Sequence, residues 1–315
     1  MIITKDMLVG MDGAAVSGII LCKDYSVQFT KGGKEYISGN LQAEAMVSFK
    51  AWGDSEAFHV LRDSDFQGKV VEISGSFNEY NGVMSIILGT VREVSLEEQI
   101  RGGYAADKFL PCRYNIDAYY DALVCLTKKL VSERGYNLAD TILFSNSDLV
   151  SAFKYGFAAM SNHDNCKGGL LAHTYKVCLL VSSVISSHRK EFGSERWADL
   201  LVLGGLLHDV GKVKEMRLGI YEPYSYVTHR YFGVELLVSY KDMIISAYDE
   251  KFYYDLISII MQHHGEYGER CKTVASQVIH LVDNFESDLT FLAQSVGGVG
   301  SDCGKIKYEG NWLEL

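Results

Sequence analysis

No two cysteines in this chain stand in the CxxC spacing of a zinc ribbon or a redox pair. The seven, at 22, 112, 125, 166, 178, 271 and 303, are scattered singly and odd in number. A disulfide framework and a structural zinc site are therefore not indicated, and reduced thiols in a cytoplasmic setting are expected. No run of about 18 uninterrupted apolar residues occurs, so no membrane helix and no membrane partner are expected. The opening MIITKDMLVGMDG carries a charge inside its first apolar run and no cleavage pattern, so it does not read as a signal peptide. A basic excess is missing too: 30 basic residues face 40 acidic ones, a net charge of −10. Non-specific nucleic-acid binders usually carry a basic face, so any grip on such a partner has to come from a local channel. Internal repeats and low-complexity tracts are also absent.

What is present is length and two kinds of periodicity. At 315 residues, 48% of them apolar, the chain is long for one domain, and two are expected. Residues 13–94 read as short strands. AAVSGIILCKDYSVQF is rich in β-branched and aromatic residues, and Gly32-Gly33 turns the chain into KEYISGNLQA. In AMVSFKAW, Val47, Phe49 and Ala51 alternate with Ser48 and Lys50. DSEAFHVLRDSDF has helical spacing with Asp54 or Ser55 as N-cap. KVVEISGSFNEY and VMSIILGTVREV follow, joined by the hairpin signal Asn81-Gly82. Five strands with one helix between the third and fourth is the order of an OB-fold barrel.

Residues 95–116 mix charges with Gly102-Gly103 and Pro111 and are taken as a linker. From Asp117 the period becomes helical. DAYYDALVCLTKKLVSERG is amphipathic, with Gly135 as candidate C-cap, and further helices are expected over 147–160, 170–188, 196–209, 229–247, 252–264 and 273–295. The division is thus an OB barrel over 1–94, a linker, an all-α bundle over 117–295, and a glycine-rich tail over 296–315, read as either mobile or docked through Trp312.

In the helical half the histidines cluster at expected helix ends. His173 flanks the stripe of Leu171, Thr174 and Cys178. His208-Asp209 close one apolar helix, His229 opens another, and His263-His264 end LISIIMQHH. Asp283 lies one residue off the stripe of Val274, Val278, Leu281 and Phe285. Taken singly, a histidine beside an apolar face is most often a core residue bonded to a carbonyl, and His59, His188 and His280 are read that way or as surface. As a set, several imidazoles and two carboxylates bordering buried faces would leave costly unpaired groups if dispersed. Gathered round a cation they satisfy one another, and imidazole with carboxylate suits Mn, Fe, Zn or Ni.

The order H…HD…H…HH…D resembles that of the HD-domain metal-dependent phosphohydrolases, matched here by His173, His208-Asp209, His229, His263 and Asp283. HDVGK and HRYFG add family spacings. With an N-terminal OB-fold ahead of GGLLAHT, LLHDVGKV, THRYFG and HHGEYG, the chain resembles the YhaM-type 3′→5′ exoribonucleases over nearly its full length. It departs from their pattern at Ala172, where members tend to carry glutamate, and at His163-Asp164, where two histidines are frequent.

The resemblance implies that Asp209 bridges two divalent cations, manganese foremost, with Fe, Mg, Co, Zn or Ni as alternatives. His173, His208 and Asp283 would hold one, His229 and His263 the other, and His264 competes for the second. A metal-bridging hydroxide would then hydrolyse single-stranded RNA, with single-stranded DNA as a second substrate, to nucleoside 5′-monophosphates. Lys212 is a candidate for stabilising phosphate charge, and its bland reading is a solvated lysine at a helix end. His163 is a candidate proton donor, and Arg230 a candidate substrate contact. On the barrel, Tyr25, Tyr36, Trp52 and Tyr80 with Lys50 are candidates for stacking and backbone contact, against the reading of most such aromatics as core. Residues 1–100 hold 8 basic and 14 acidic side chains, so modest, salt-sensitive affinity is expected. Two other classes compete: an HD enzyme acting on nucleotides or cyclic dinucleotides with the barrel as ligand sensor, and a binding protein with an inactive centre. HHGEYGERC lacks the DGxGYP continuation of the cyclic-dinucleotide branch, and the complete ligand set argues against decay. A homo-oligomer that builds a channel is also anticipated.

Overall fold

Alternation in the first hundred residues closes a sheet on itself. Strands β1 (Ala15–Phe29), β2 (Glu35–Gln42), β3 (Met46–Trp52), β4 (Lys69–Tyr80) and β5 (Val83–Glu93) form a closed barrel in the order β1-β2-β3-β5-β4. Four of the pairings are antiparallel, and β3 lies parallel to β5. In β3, Val47, Phe49 and Ala51 point into the core while their neighbours face out, which is the period-2 signature of a half-buried strand. The inward set, with Ile20, Ile37, Ile73, Phe77 and Ile86, fills the interior. Helix α1 (Glu56–Asp63) bridges β3 and β4, its N-cap supplied by Ser55 accepting from Phe58 N. The order and closure are those of an OB-like barrel.

A computed structural model of the chain describes residues 1–8, 12–43, 45–80, 82–159, 164–296, 305–308 and 311–314. Asn81 of the expected hairpin turn lies outside them. Two compact units result, Met1–Cys112 and Arg113–Leu315. Most of the segment expected as a linker groups with the barrel: it opens with helix α2 (Leu96–Gly102), started by a reciprocal Ser95/Glu98 capping box, and a 3-10 turn follows at Ala106–Phe109.

The second unit begins with α3 (Ile116–Leu130), α4 (Glu133–Ala139) and α5 (Ser147–Tyr155), continues through α6 (Gly169–Ser187), α7 (Arg189–Phe192), α8 (Glu195–Leu207) and α9 (Lys212–Glu215), and closes with α10 (Thr228–Ser239), α11 (Lys241–Ala247), α12 (Glu250–Gln262) and α13 (Val274–Val296). Two short antiparallel pairs complete this unit, Met216–Arg217 with Ile220–Tyr221 and Lys305–Tyr308 with Asn311–Glu314. The side chain of Trp312, the docking point in one of the two readings of the tail, is not among those described. Helix α6 is apolar and long enough by composition to span a bilayer, but it is a core helix, with Leu170, Val177 and Val181 buried against α8 and its neighbours.

Several local readings of the sequence change: the helix expected over 229–247 is divided at Tyr240 into α10 and α11, and the one expected over 147–160 ends at Tyr155. Gly135 is not a C-cap: α3 stops at Leu130, Ser132 caps α4, and Gly135 lies inside it, where a Cβ would come within 2.9 Å of the Asp199 carboxylate. That carboxylate accepts from Ser132 N and Oγ and from the Tyr248 hydroxyl, so the glycine makes room for a buried capping network. On α13, Val274, Leu281 and Phe285 are exposed, at 58%, 59% and 56%. The face turned inward instead carries Ala275, Ile279, Val282, Asp283 and Glu286. Hydrophobicity alone selects the wrong side because this helix buries two carboxylates.

Candidate metal centre

Helix ends build this site. The last carbonyls of α8 and α12 lack intrahelical partners. His208 and His263, the next residue in each case, cover them: His208 Nδ1 donates to Gly205 O at 2.8 Å, and His263 Nδ1 donates to Ile260 O at 2.9 Å. A carbonyl only accepts, so the neutral ring keeps its proton on Nδ1 and its lone pair on Nε2. Carboxylates fix two more rings in the same sense. His173 Nδ1, in the second turn of α6, lies 2.5 Å from Glu286 Oε2, and His229 Nδ1, at the start of α10, lies 2.8 Å from Glu215 Oε2.

All four Nε2 atoms converge on Asp209. Its Oδ2 is 3.5 Å from His173 Nε2 and 3.4 Å from His208 Nε2, while its Oδ1 is 3.4 Å from His229 Nε2 and 3.5 Å from His263 Nε2. Asp283 Oδ1 approaches His173 Nε2 at 3.1 Å and His208 Nε2 at 3.7 Å. His264 Nε2 lies 2.9 Å from His229 Nε2. Two donor groups emerge, one of His173, His208 and Asp283 and one of Asp209, His229, His263 and His264, with the ligand atoms of each inside 4.8 Å of one another.

Donors about 2.0–2.2 Å from a shared cation stand roughly 3–3.5 Å apart, close to the spacing found. Asp209 Oδ1 and His263 Nε2 are buried with no hydrogen-bond partner. Such groups cost about 1–3 kcal/mol each when unsatisfied, and one cation between them satisfies both. Imidazole and carboxylate without thiolate form the borderline-hard set expected of a Mn, Fe, Co, Ni or Zn site.

Buried carboxylates dominate the electrostatics of the cluster. Burial pulls the His173 and His208 rings down, but the facing carboxylates outweigh it: Asp283 and Glu286 lift His173 to about 9, and Asp209 and Asp283 lift His208 to about 10. Burial opposes ionisation of Asp209, yet Lys212 and His208 hold it well below the usual carboxylate range, and His173 and His208 do the same for Asp283. His263 and His264 are pushed the other way, His264 to about 3, by burial in the first place.

Local backbone packing fixes the doublet against its partners. A Cβ on Gly211 would fall 1.9 Å from His229 O and 2.6 Å from Gly233 N, so α10 rests directly on this glycine. Gly211→Ala is expected to push α10 and His229 away, costing about 1–3 kcal/mol of stability and weakening cation binding. Thermal unfolding with and without Mn²⁺ checks this, and a smaller midpoint rise on adding Mn²⁺ than in the unaltered protein is the expected result.

The six side chains singled out from the sequence, His173, His208, Asp209, His229, His263 and Asp283, lie together here, and His264 joins the second group. Lys212 Nζ sits 2.6 Å from Asp209 Oδ2 and is mostly buried, so it is not the solvated lysine of the bland reading. His163 lies outside the described residues. Arg230 is half-buried and donates to Met261 O at 3.2 Å. On the barrel, Trp52 and Tyr80 are 38% and 69% exposed, and Tyr36 pairs with Trp52 at 5.2 Å between ring centroids. Lys50 is half-exposed on β3. Tyr25 is committed to the fold, its hydroxyl donating to Ser64 O at 2.6 Å and accepting from Phe66 N at 3.0 Å. A cavity of about 610 Å³ opens beside Trp52, lined also by Lys34, His59 and Arg62. Sequence reasoning missed Glu215 and Glu286. The one available signal was Glu286 at i+3 from Asp283, on the same helical face.

A closed five-stranded barrel followed by a helical histidine–aspartate centre defines the class. Residues 170–288 match the HD domain family model, and the second unit carries an HD domain. Over most of its length the chain is similar to the 3′-5′ exoribonuclease YhaM of Shouchella clausii, 25% identical over 298 residues that cover 90% of this chain and 87% of the relative. The YhaM of Bacillus subtilis is 22% identical over 306 residues, 93% of this chain and 91% of its own. A dihydroneopterin 2′,3′-cyclic phosphate phosphodiesterase of Methanocaldococcus jannaschii is 24% identical over 145 residues, 44% of this chain and 54% of that protein.

Proposed function

We propose that this chain is a metal-dependent 3′→5′ exoribonuclease that shortens single-stranded RNA to nucleoside 5′-monophosphates. The observation that carries the reading is the split of Asp209, one oxygen to each donor group, with Oδ1 and His263 Nε2 buried and unpartnered. These residues would hold a divalent pair, manganese foremost, which when bound would supply Lewis-acid charge and acidify water. His173, His208 and Asp283 would hold one side of that charge, His229, His263 and His264 the other, with Asp209 between the two groups. Lys212 adds a fixed positive charge beside Asp209, where it neutralises developing charge on a phosphate. Single-stranded RNA is the substrate, with DNA as a lesser one, and the free thiols suit a reducing, cytoplasmic setting. A homo-oligomer remains part of the proposal.

The barrel supplies grip through Trp52 and Tyr36, with Lys34, Lys50 and Arg62 for the backbone. Trp52→Ala is expected to raise KM for an oligoribonucleotide by roughly 5- to 150-fold, the equivalent of losing one base stack of about 1–3 kcal/mol, with kcat unchanged. Steady-state kinetics at two salt concentrations check it, and KM rises with salt in the unaltered protein. Incubation of a 5′-labelled oligoribonucleotide with the protein and Mn²⁺ tests the activity itself. A ladder shortening from the 3′ end supports it, and an intact oligonucleotide refutes it. The second reading, an HD phosphodiesterase of small cyclic phosphates, is favoured by the similarity to the archaeal cyclic phosphate phosphodiesterase. Turnover of 2′,3′-cyclic nucleotides with no ladder would select it.

A further inference from the structure

Next to the metal centre lies a third cluster of ionisable groups, Asp164, His173 and Glu286, all buried. Its cation is a side chain. Lys176 Nζ is 2.9 Å from Asp164 Oδ2, 2.8 Å from Glu286 Oε1 and 2.8 Å from Thr290 Oγ1. Glu286 therefore divides its two oxygens. Oε1 takes the Lys176 ammonium and the Thr290 hydroxyl, leaving Oε2 for His173 Nδ1 at 2.5 Å. Asp164 is anchored in turn by the Tyr114 hydroxyl and by Gln294 Nε2 at 3.3 Å, with its backbone at a φ of 55°. That left-handed conformation is uncommon for a residue other than glycine.

The helical periods explain how the cluster forms. Lys176 follows His173 by three residues on α6, and Glu286 follows Asp283 by three on α13, so each helix delivers a metal-facing side chain and a supporting one on the same face. The residue before His173 is Ala172, fully buried, and its methyl offers His173 Nδ1 no acceptor. One ammonium against two buried carboxylates leaves a net negative charge behind His173. A histidine whose Nδ1–H points at such a carboxylate has a more basic Nε2 and a fixed ring plane.

We propose that Lys176 and Glu286 are positioning residues of the metal centre: Lys176 locks Glu286, and Glu286 aims His173 Nε2 at the cation it shares with His208 and Asp283. This rests on the metal-dependent reading above, and the test separates the two. Full-length protein freed of metal is titrated with Mn²⁺ by calorimetry, beside Glu286→Gln, which keeps the side-chain shape and removes the charge. The expected result is Mn²⁺ affinity about 10- to 100-fold weaker at one of the sites. In kinetics, kcat falls at limiting Mn²⁺ and recovers at excess, while KM for the oligonucleotide is unchanged. A merely structural role would lower thermal stability without that metal rescue. Lys176→Arg is the second variant. It retains the positive charge for folding but replaces a point charge that touches three oxygens with a planar fork, and weaker Mn²⁺ binding is expected here too. Affinities within twofold of the unaltered protein in Glu286→Gln, or in Lys176→Arg should the first not fold, would overturn the proposal. Failure of the unaltered protein to bind Mn²⁺ would overturn the metal reading as well.

Discussion

Asp209→Ala is expected to lower turnover by more than about 10³-fold, beyond the 10²–10³ lost with a single electrostatic stabiliser. The size of the effect follows from the position of the carboxylate. Oδ2 lies beside His173 and His208, and Oδ1 beside His229 and His263, so one truncation would remove a donor from both proposed sides. The alanine also strands Lys212 and His208 in the interior without their counter-charge, and removing one partner of a buried pair costs several kcal/mol. Asp209→Asn is the control for folding. It keeps the shape and should retain the helical circular dichroism while losing activity to a similar extent. Single-turnover kinetics on a labelled oligoribonucleotide measure both variants. Near-normal rates in the asparagine protein would contradict the bridging role.

Cation affinity is expected to climb steeply with pH. The neighbouring carboxylates raise His173 to about 9 and His208 to about 10, so at neutral pH both rings hold protons that a cation on Nε2 must displace. Apparent affinity then rises about tenfold per pH unit for each proton released, until pH passes those values. Asp209 and Asp283 are already ionised over this range, their values held well below the usual carboxylate range, and add no slope. The same shifts fix the sign of the stability effect without metal. Groups raised in the folded state stabilise it below about pH 6.5 and lose that contribution as pH rises through about 9 to 10. Calorimetric titrations with Mn²⁺ between pH 6.5 and 8.5, in buffers of different ionisation enthalpy, measure the protons released. A flat affinity with no proton release would contradict the assignment of His173 and His208.

The architecture was legible because it is written in periods. Alternation in AMVSFKAW and helical spacing after Asp117 separate the two units, and one helix between the third and fourth strands gives the barrel order observed. The histidine–aspartate set was legible through its order along the chain, which resembles that of the HD-domain phosphohydrolases, and the structure adds that His208 and His263 cap α8 and α12 through Nδ1. What stayed hidden depends on contacts between distant segments. Glu215 and Glu286 look like ordinary solvent-facing carboxylates in the sequence, and only tertiary packing brings them to His229 and His173. The outward stripe of α13 misled because apolar residues outnumber polar ones on the exposed side, while the buried side carries Asp283 and Glu286. The structural tie of Tyr25 was hidden in the same way, since an aromatic beside basic residues on a strand does not reveal that its hydroxyl joins Ser64 and Phe66.

Counting bound metal is the most direct test of the whole account. Full-length protein stripped of metal, dialysed to equilibrium against Mn²⁺ at pH 8 and assayed by elemental analysis, should retain about two manganese ions per chain, as a shared carboxylate between two donor groups implies. Retention of no manganese, or an unchanged count in Asp209→Asn, would contradict it.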